Sequence, residues 1–240
     1  MTYLFTMLIL FALYGAAVYA MKYMDHDKKW NGLFTAAVFV PYVFLGMVIY
    51  LDVGFYDWNF QNVLPVANVS PFMFTLTFVS LFLPTKIRKI VYGLISLLSV
   101  GMIFSTVVNC VYNAQIHYKF HWHFVLDYVA HFALSAYGVY LVRSRQVDLK
   151  IQKCFASGAL IVGAAMVMMV LNVIFDTAFF GLSLNGKHNI YNTVLVKSSY
   201  LSAVIYFVGL CLVLILGYLY SRCFSPAVKE EEEGASRVKG

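Results

Sequence analysis

IVYGLISLLSVGMIFSTVVNC, Ile90–Cys110, runs for 21 residues without a charged side chain. As an α-helix rising about 1.5 Å per residue it is about 30 Å long, which matches the hydrocarbon core of a bilayer. Immediately before it stand Lys86, Arg88 and Lys89. An apolar run of spanning length with basic residues at one end predicts a transmembrane helix and its direction together.

Six more such runs follow the same pattern: Thr2–Met21, Leu33–Leu51, Val66–Leu83, His123–Val142, Cys154–Phe175 and Ser198–Ser221. The polar breaks between them are short. Over the whole chain 62% of residues are hydrophobic and 12% charged, against about 25% charged in a soluble domain. A soluble core of 240 residues has no interior large enough for that much apolar surface. The runs do not alternate as barrel strands do, and backbone groups in lipid must be satisfied internally, so the segments are expected as helices. The expected fold is all-α: a polytopic bundle of seven transmembrane helices over residues 1–224, then a disordered cytoplasmic tail over 225–240 that carries four consecutive glutamates from Glu230. The first run lacks a preceding basic residue and is expected to remain as an uncleaved helix. Pro65 and Pro84 bound the third helix, and Pro71 falls in its first turns, where proline is tolerated.

Charge sets the orientation. Fourteen of the seventeen Lys and Arg residues fall on one side of the seven-helix arrangement and three (Lys119, Lys187, Lys197) on the other. Positive residues favour the cytoplasmic side, so the N-terminus is expected outside and the C-terminus in the cytoplasm. In this setting the net charge of +6 is an orientation signal rather than a sign of nucleic-acid binding. Cys110, Cys154, Cys211 and Cys223 have no paired spacing and suggest neither a disulfide nor a metal framework.

Ionisable residues inside a span are costly and are functional candidates. The fifth run, in HWHFVLDYVAHFALSAYGVYL (residues 121–141), places His123, Asp127 and His131 on one helix face at i, i+4, i+8. His131 lies about 12 Å deeper than His123. A histidine and a carboxylate at that spacing make an oriented acid–base pair. The expected orientation places Asn68 and Ser70 on helix three, Asn109 on helix four, and Asn172 and Asp176 on helix six in the same outer half. One polar pocket opening to the outer leaflet is therefore expected, with an almost purely apolar inner half.

Three chemistries fit this set. In the first, His131 is a general base for acyl-ester hydrolysis or transfer, oriented by Asp127, with a nucleophile or water nearby. The second is binding or transport of a lipidic or small polar solute without bond chemistry. The third is a metal-dependent hydrolase, for which His123, Asp127, His131 and Asp176 have the right donor types, although the two histidines are two turns apart. No metal is assigned in the leading reading and no cofactor is expected. Membrane lipids are the expected partners. A retinal protein is disfavoured because it needs a lysine in the middle of the last helix, and Lys197 lies at the edge.

Three stretches resemble the YwaF-type family of bacterial integral membrane proteins, whose relatives include a eukaryotic ether-phospholipid acyltransferase and the androgen-induced membrane hydrolases. They are LPVANVSPFMF (Leu64–Phe74), FVLDYVAHFAL (Phe124–Leu134) and, more weakly, LNVIFDTAFFGL (Leu171–Leu182), about 35 of the 240 residues. The resemblance implies a seven-helix protein of the bacterial plasma membrane with His131 as the family histidine. It departs from the family at the cysteine nucleophile, whose position aligns with Ala67, and at the adjacent histidine, which is absent. Ser70, or a water activated by His131, would have to replace that nucleophile.

Overall fold

The computed structural model describes residues 2–21, 23, 30–51, 68–116, 123–177, 179–182 and 199–225. Among them the regular elements are seven α-helices and two single 3-10 turns, with no strand. The helices are α1 (Thr2–Ala20), α2 (Trp30–Leu51), α3 (Val69–Val79), α4 (Thr85–Ile116), α5 (His123–Arg143), α6 (Ile151–Phe175) and α7 (Ser199–Phe224). All the helices but α3 are long and apolar enough to cross a membrane. The tail from 226 onward lies outside the described residues, as do Pro65, Val66 and Ala67.

Large apolar side chains cover the outside. On α6 Phe155, Val167, Val170, Ile174 and Phe175 are exposed, and on α7 Val204, Leu212, Ile215 and Leu219. Water does not tolerate a contiguous surface of this kind, whereas hydrocarbon does. Together with the six long apolar helices this makes the chain an integral membrane protein.

Interhelical contacts show how the helices alternate. Val18 near the end of α1 and Phe224 at the end of α7 both meet Arg143 at the end of α5. Asn31 at the start of α2 meets Gln146 just beyond α5. Ser96, early in α4, meets Gly138 late in α5 and Ser221 late in α7. Thus α1, α5 and α7 run one way, and α2 and α4 run against them. α5 is the central helix. Of its span 72% is buried, against 50% for α4 and 22% or less for the other four long helices.

Close approach explains the packing around α4. A Cβ on Gly138 would meet Ser99 and the Ile95 carbonyl, one on Gly217 would strike the Leu97 carbonyl, and one on Gly93 would strike Ser157. Lipid offers no hydrophobic drive for helix association, so van der Waals contact between backbones at small residues has to supply it.

Helix boundaries are resolved at both α3 and α4. Val66, the expected start of the third run, lies outside the described residues. The third helix has Asn68 at its N-cap and Val69 as its first residue. This places Pro71 in the first turn, where its missing N–H costs no helical bond. The fourth helix extends beyond Ile90–Cys110 at both ends. It begins directly after Pro84, and the Arg88 guanidinium donates to the carbonyls of Leu83 (2.8 Å) and Leu81 (3.3 Å), so a basic residue satisfies acceptors left over where α3 ends.

The half of the bundle where α5 ends, expected to be almost purely apolar, carries a polar network. Asn31 and Gln146 form a reciprocal amide pair (2.8 and 3.1 Å), and Asn31 also donates to the Tyr92 hydroxyl at 3.2 Å. Ser96, Ser99 and Ser221 bond to main-chain carbonyls at the α4–α5–α7 crossing. The spans holding Asn31 and Tyr92 are apolar on average. Their polar groups are tolerated because each finds a partner on another helix.

Candidate functional site

The site forms where the first turn of α3 meets the middle of α5. His131 is buried, with 1% exposure. Its Nδ1 lies 2.8 Å from the Asp127 carbonyl oxygen and 3.3 Å from the Asp127 carboxylate. Both groups are acceptors, so the ring proton sits on Nδ1 and is shared toward Asp127. Nε2 is then an acceptor, and the Ser70 hydroxyl, 2.8 Å away, donates to it. The result is a hydroxyl–imidazole–carboxylate line across two helices. The helical spacing of α5 orients the imidazole, and Ser70 is supplied by a segment 61 residues earlier.

Apolar side chains fix the imidazole ring from the other sides. Phe74, one turn beyond Ser70 on α3, meets it edge-on at 5.1 Å between centroids. Tyr42 of α2 packs against Phe74 in turn. The Met102 sulfur of α4 lies 4.0 Å from the Ser70 oxygen. Ser70 itself is half-buried and the Asp127 side chain is 23% exposed, so the hydroxyl and the carboxylate are less enclosed than the ring between them.

The remaining candidates separate. Asn68 is exposed, and its side chain makes no cap bond to α3. Asn109 is half-buried on α4. It lies seven residues beyond Met102 and so on the same face, about 10 Å further along the axis. The His123 side chain lies outside the described residues.

Asn172 has a different role from the expected pocket lining. Its Nδ2 donates to the carbonyls of Phe179 (2.9 Å) and Leu182, while Oδ1 accepts from the Thr177 hydroxyl and the Phe179 N–H, both at 2.7 Å. An amide has two N–H groups and two lone pairs; all four are committed. Asn172 is therefore the clasp of the loop that follows α6. Asp176 belongs to the same loop as the left-handed C-cap residue of α6, at φ 51°, a conformation that asparagine and aspartate tolerate better than most residues. The clasp seats Phe180 and Leu182 in the core, with Phe180 edge-on to Phe72 of α3 at 5.3 Å.

Among the described residues no three His, Cys, Asp or Glu side chains come together as a metal would require. Met102 and Phe74 were not foreseen as parts of the site, because an apolar residue on an apolar helix carries no distinguishing signal. Ser70 was expected in the site, because a hydroxyl within an apolar run stands out.

Comparison with protein families, curated proteins and solved structures gives no match to this chain.

Proposed function

We propose that this is a membrane-embedded acyl-ester hydrolase or acyltransferase acting on lipids, with Ser70 as nucleophile, His131 as general base and Asp127 as the group that orients and stabilises the imidazolium. The hydrogen-bonded line from Ser70 through His131 to Asp127 carries this reading. Ser70 Oγ attacks the ester carbonyl while its proton passes to His131 Nε2. His131 returns that proton to the departing alcohol oxygen, leaving an acyl group on Ser70. A second alcohol completes transfer, or water completes hydrolysis, by the same proton route reversed. Ser70 lies in the first turn of α3, so the partial positive charge of the helix start favours the anion developing on the carbonyl oxygen.

The full reading has α3 and its flanking residues as a seventh span, the basic end of the bundle in the cytoplasm and the site toward the outer leaflet of a bacterial plasma membrane. The resemblance to YwaF-type proteins is part of the same proposal, since His131 is the residue it carries, and Ser70 takes the place of the cysteine missing at Ala67. A serine-directed fluorophosphonate tests it, together with acyl release from a phospholipid panel by the purified protein. The wild type is expected to be labelled at Ser70 and to release acyl groups, and Ser70→Ala and His131→Ala to lose both. Equal rates in His131→Ala and wild type would sink the proposal. One observation favours binding without bond chemistry: the nearest partner of Nδ1 is the Asp127 carbonyl rather than its carboxylate. On that reading Ser70 and His131 join α3 to α5, and neither labelling nor acyl release occurs.

A further inference from the structure

We propose a second site, for the phosphate of an anionic phospholipid, at the basic end of the bundle around Arg143. It is independent of the Ser70–His131 reading, because Arg143 lies twelve residues beyond His131 on α5, about 18 Å along the axis. α1 and α7 each pack against α5. They meet across it through the hydroxyls of Tyr14 and Tyr220, and Tyr14 also bonds Ser135 of α5 at 3.0 Å. Val18 and Phe224 follow those tyrosines by four residues each and form the next level of the same crevice. The Arg143 side chain lies there, half-buried, with its guanidinium 5.5 Å from the Phe224 ring centroid and Nη1 3.3 Å from the Val18 carbonyl.

A guanidinium has five N–H donors in a planar fork. One is spent on Val18. Among the described residues no carboxylate pairs with Arg143, so the rest of its fork is without an anion among them. The surroundings add charge of the same sign. Among the described residues at this end Lys86, Arg88, Lys89, Lys150 and Lys153 stand beside the acid Asp148, and the chain as a whole carries a net charge of +6. A net positive charge at the rim of a hydrocarbon-facing bundle suits a lipid phosphate. The fork of Arg143 binds it bidentately, and the apolar surfaces of α1 and α7 on either side accept the acyl chains.

The full chain, reconstituted with equal amounts of phosphatidylglycerol and phosphatidylcholine, is read by native mass spectrometry after detergent exchange. The wild type is expected to retain phosphatidylglycerol selectively. Arg143→Gln is expected to lower that retention about tenfold, the effect of removing a bidentate charged contact. Arg222→Gln, which removes a charge from the same end without touching the crevice, is expected to retain it. Equal retention by Arg143→Gln and wild type, equal loss in Arg222→Gln, or no preference over phosphatidylcholine would each overturn the site. Displacement by millimolar inorganic phosphate would assign the pocket to the free ion and overturn the lipid. If Arg143→Gln does not fold, Arg143→Lys decides. It keeps the charge but loses the fork, so retention is expected to fall several-fold, and unchanged retention refutes the proposal.

Discussion

Replacing Ser70 by alanine removes one oxygen, and its two consequences can be measured separately. In the folded protein the Ser70 hydroxyl satisfies His131 Nε2 at 2.8 Å, and His131 is almost wholly buried. Alanine leaves Nε2 without that donor. A buried acceptor so orphaned costs about 1–3 kcal/mol in soluble proteins. Interhelical bonds in membrane hosts average about 0.6 kcal/mol, with a maximum near 1.7, because the unfolded state in the membrane finds other partners. The half-burial of Ser70 argues for the lower part of that range, about 0.5–1 kcal/mol. His131→Leu removes the acceptor as well, so Ser70→Ala in that background is expected to cost about 0.3 kcal/mol or less. The assay is equilibrium unfolding of the four members of this cycle in lipid–detergent micelles, with fluorophosphonate labelling of the same samples. A coupling energy indistinguishable from zero would refute the hydrogen bond. Coupling at the expected size without labelling would leave the bond and remove the catalytic proposal.

Three further outcomes follow from the packing. Asn172→Ala strips four hydrogen bonds from the loop after α6; a loss of about 2–4 kcal/mol is expected, with faster amide exchange across residues 177–182, and unchanged exchange would contradict the clasp. Gly217→Ala puts a methyl group against the Leu97 carbonyl, where only backbone movement can make room; about 1–3 kcal/mol of destabilisation is expected, larger than for Gly15→Ala, whose Cβ would meet nothing, and equal melting of the two variants would argue against the close α4–α7 crossing. Asn31→Ala and Gln146→Ala each break the same reciprocal pair, so the double variant is expected to lose about 0.5–1.5 kcal/mol less than the sum of the singles; strict additivity in thermal unfolding would show that the pair does not form.

The single residues show how much was legible in advance. Apolar runs located the long helices because lipid imposes a length and excludes charge, and both conditions appear directly in a linear sequence. His131 and Asp127 were legible as a pair for a related reason: four residues on one helix is a fixed geometry that needs no other segment. Ser70 was readable as a pocket residue and as a fallback nucleophile, but nothing in the residues between it and His131 specifies that α3 begins level with the middle of α5. Asn172 misled. An asparagine in an apolar run looks the same whether it faces a ligand or folds its amide around the next turn of its own chain.

The sequence alone determined the class of solvent, the helical segments and the acid–histidine pair, because these depend on composition and on separations within one helix. Tertiary structure decided which polar groups meet. It joined Ser70 to His131, spent Asn172 on a loop, left Asn68 exposed and set a polar network in the half of the bundle expected to be apolar. Those outcomes depend on how helices far apart in the chain approach and rotate against one another. Glycines at the crossings and the partner available to each buried polar group control that approach, and neither is visible until the helices are packed.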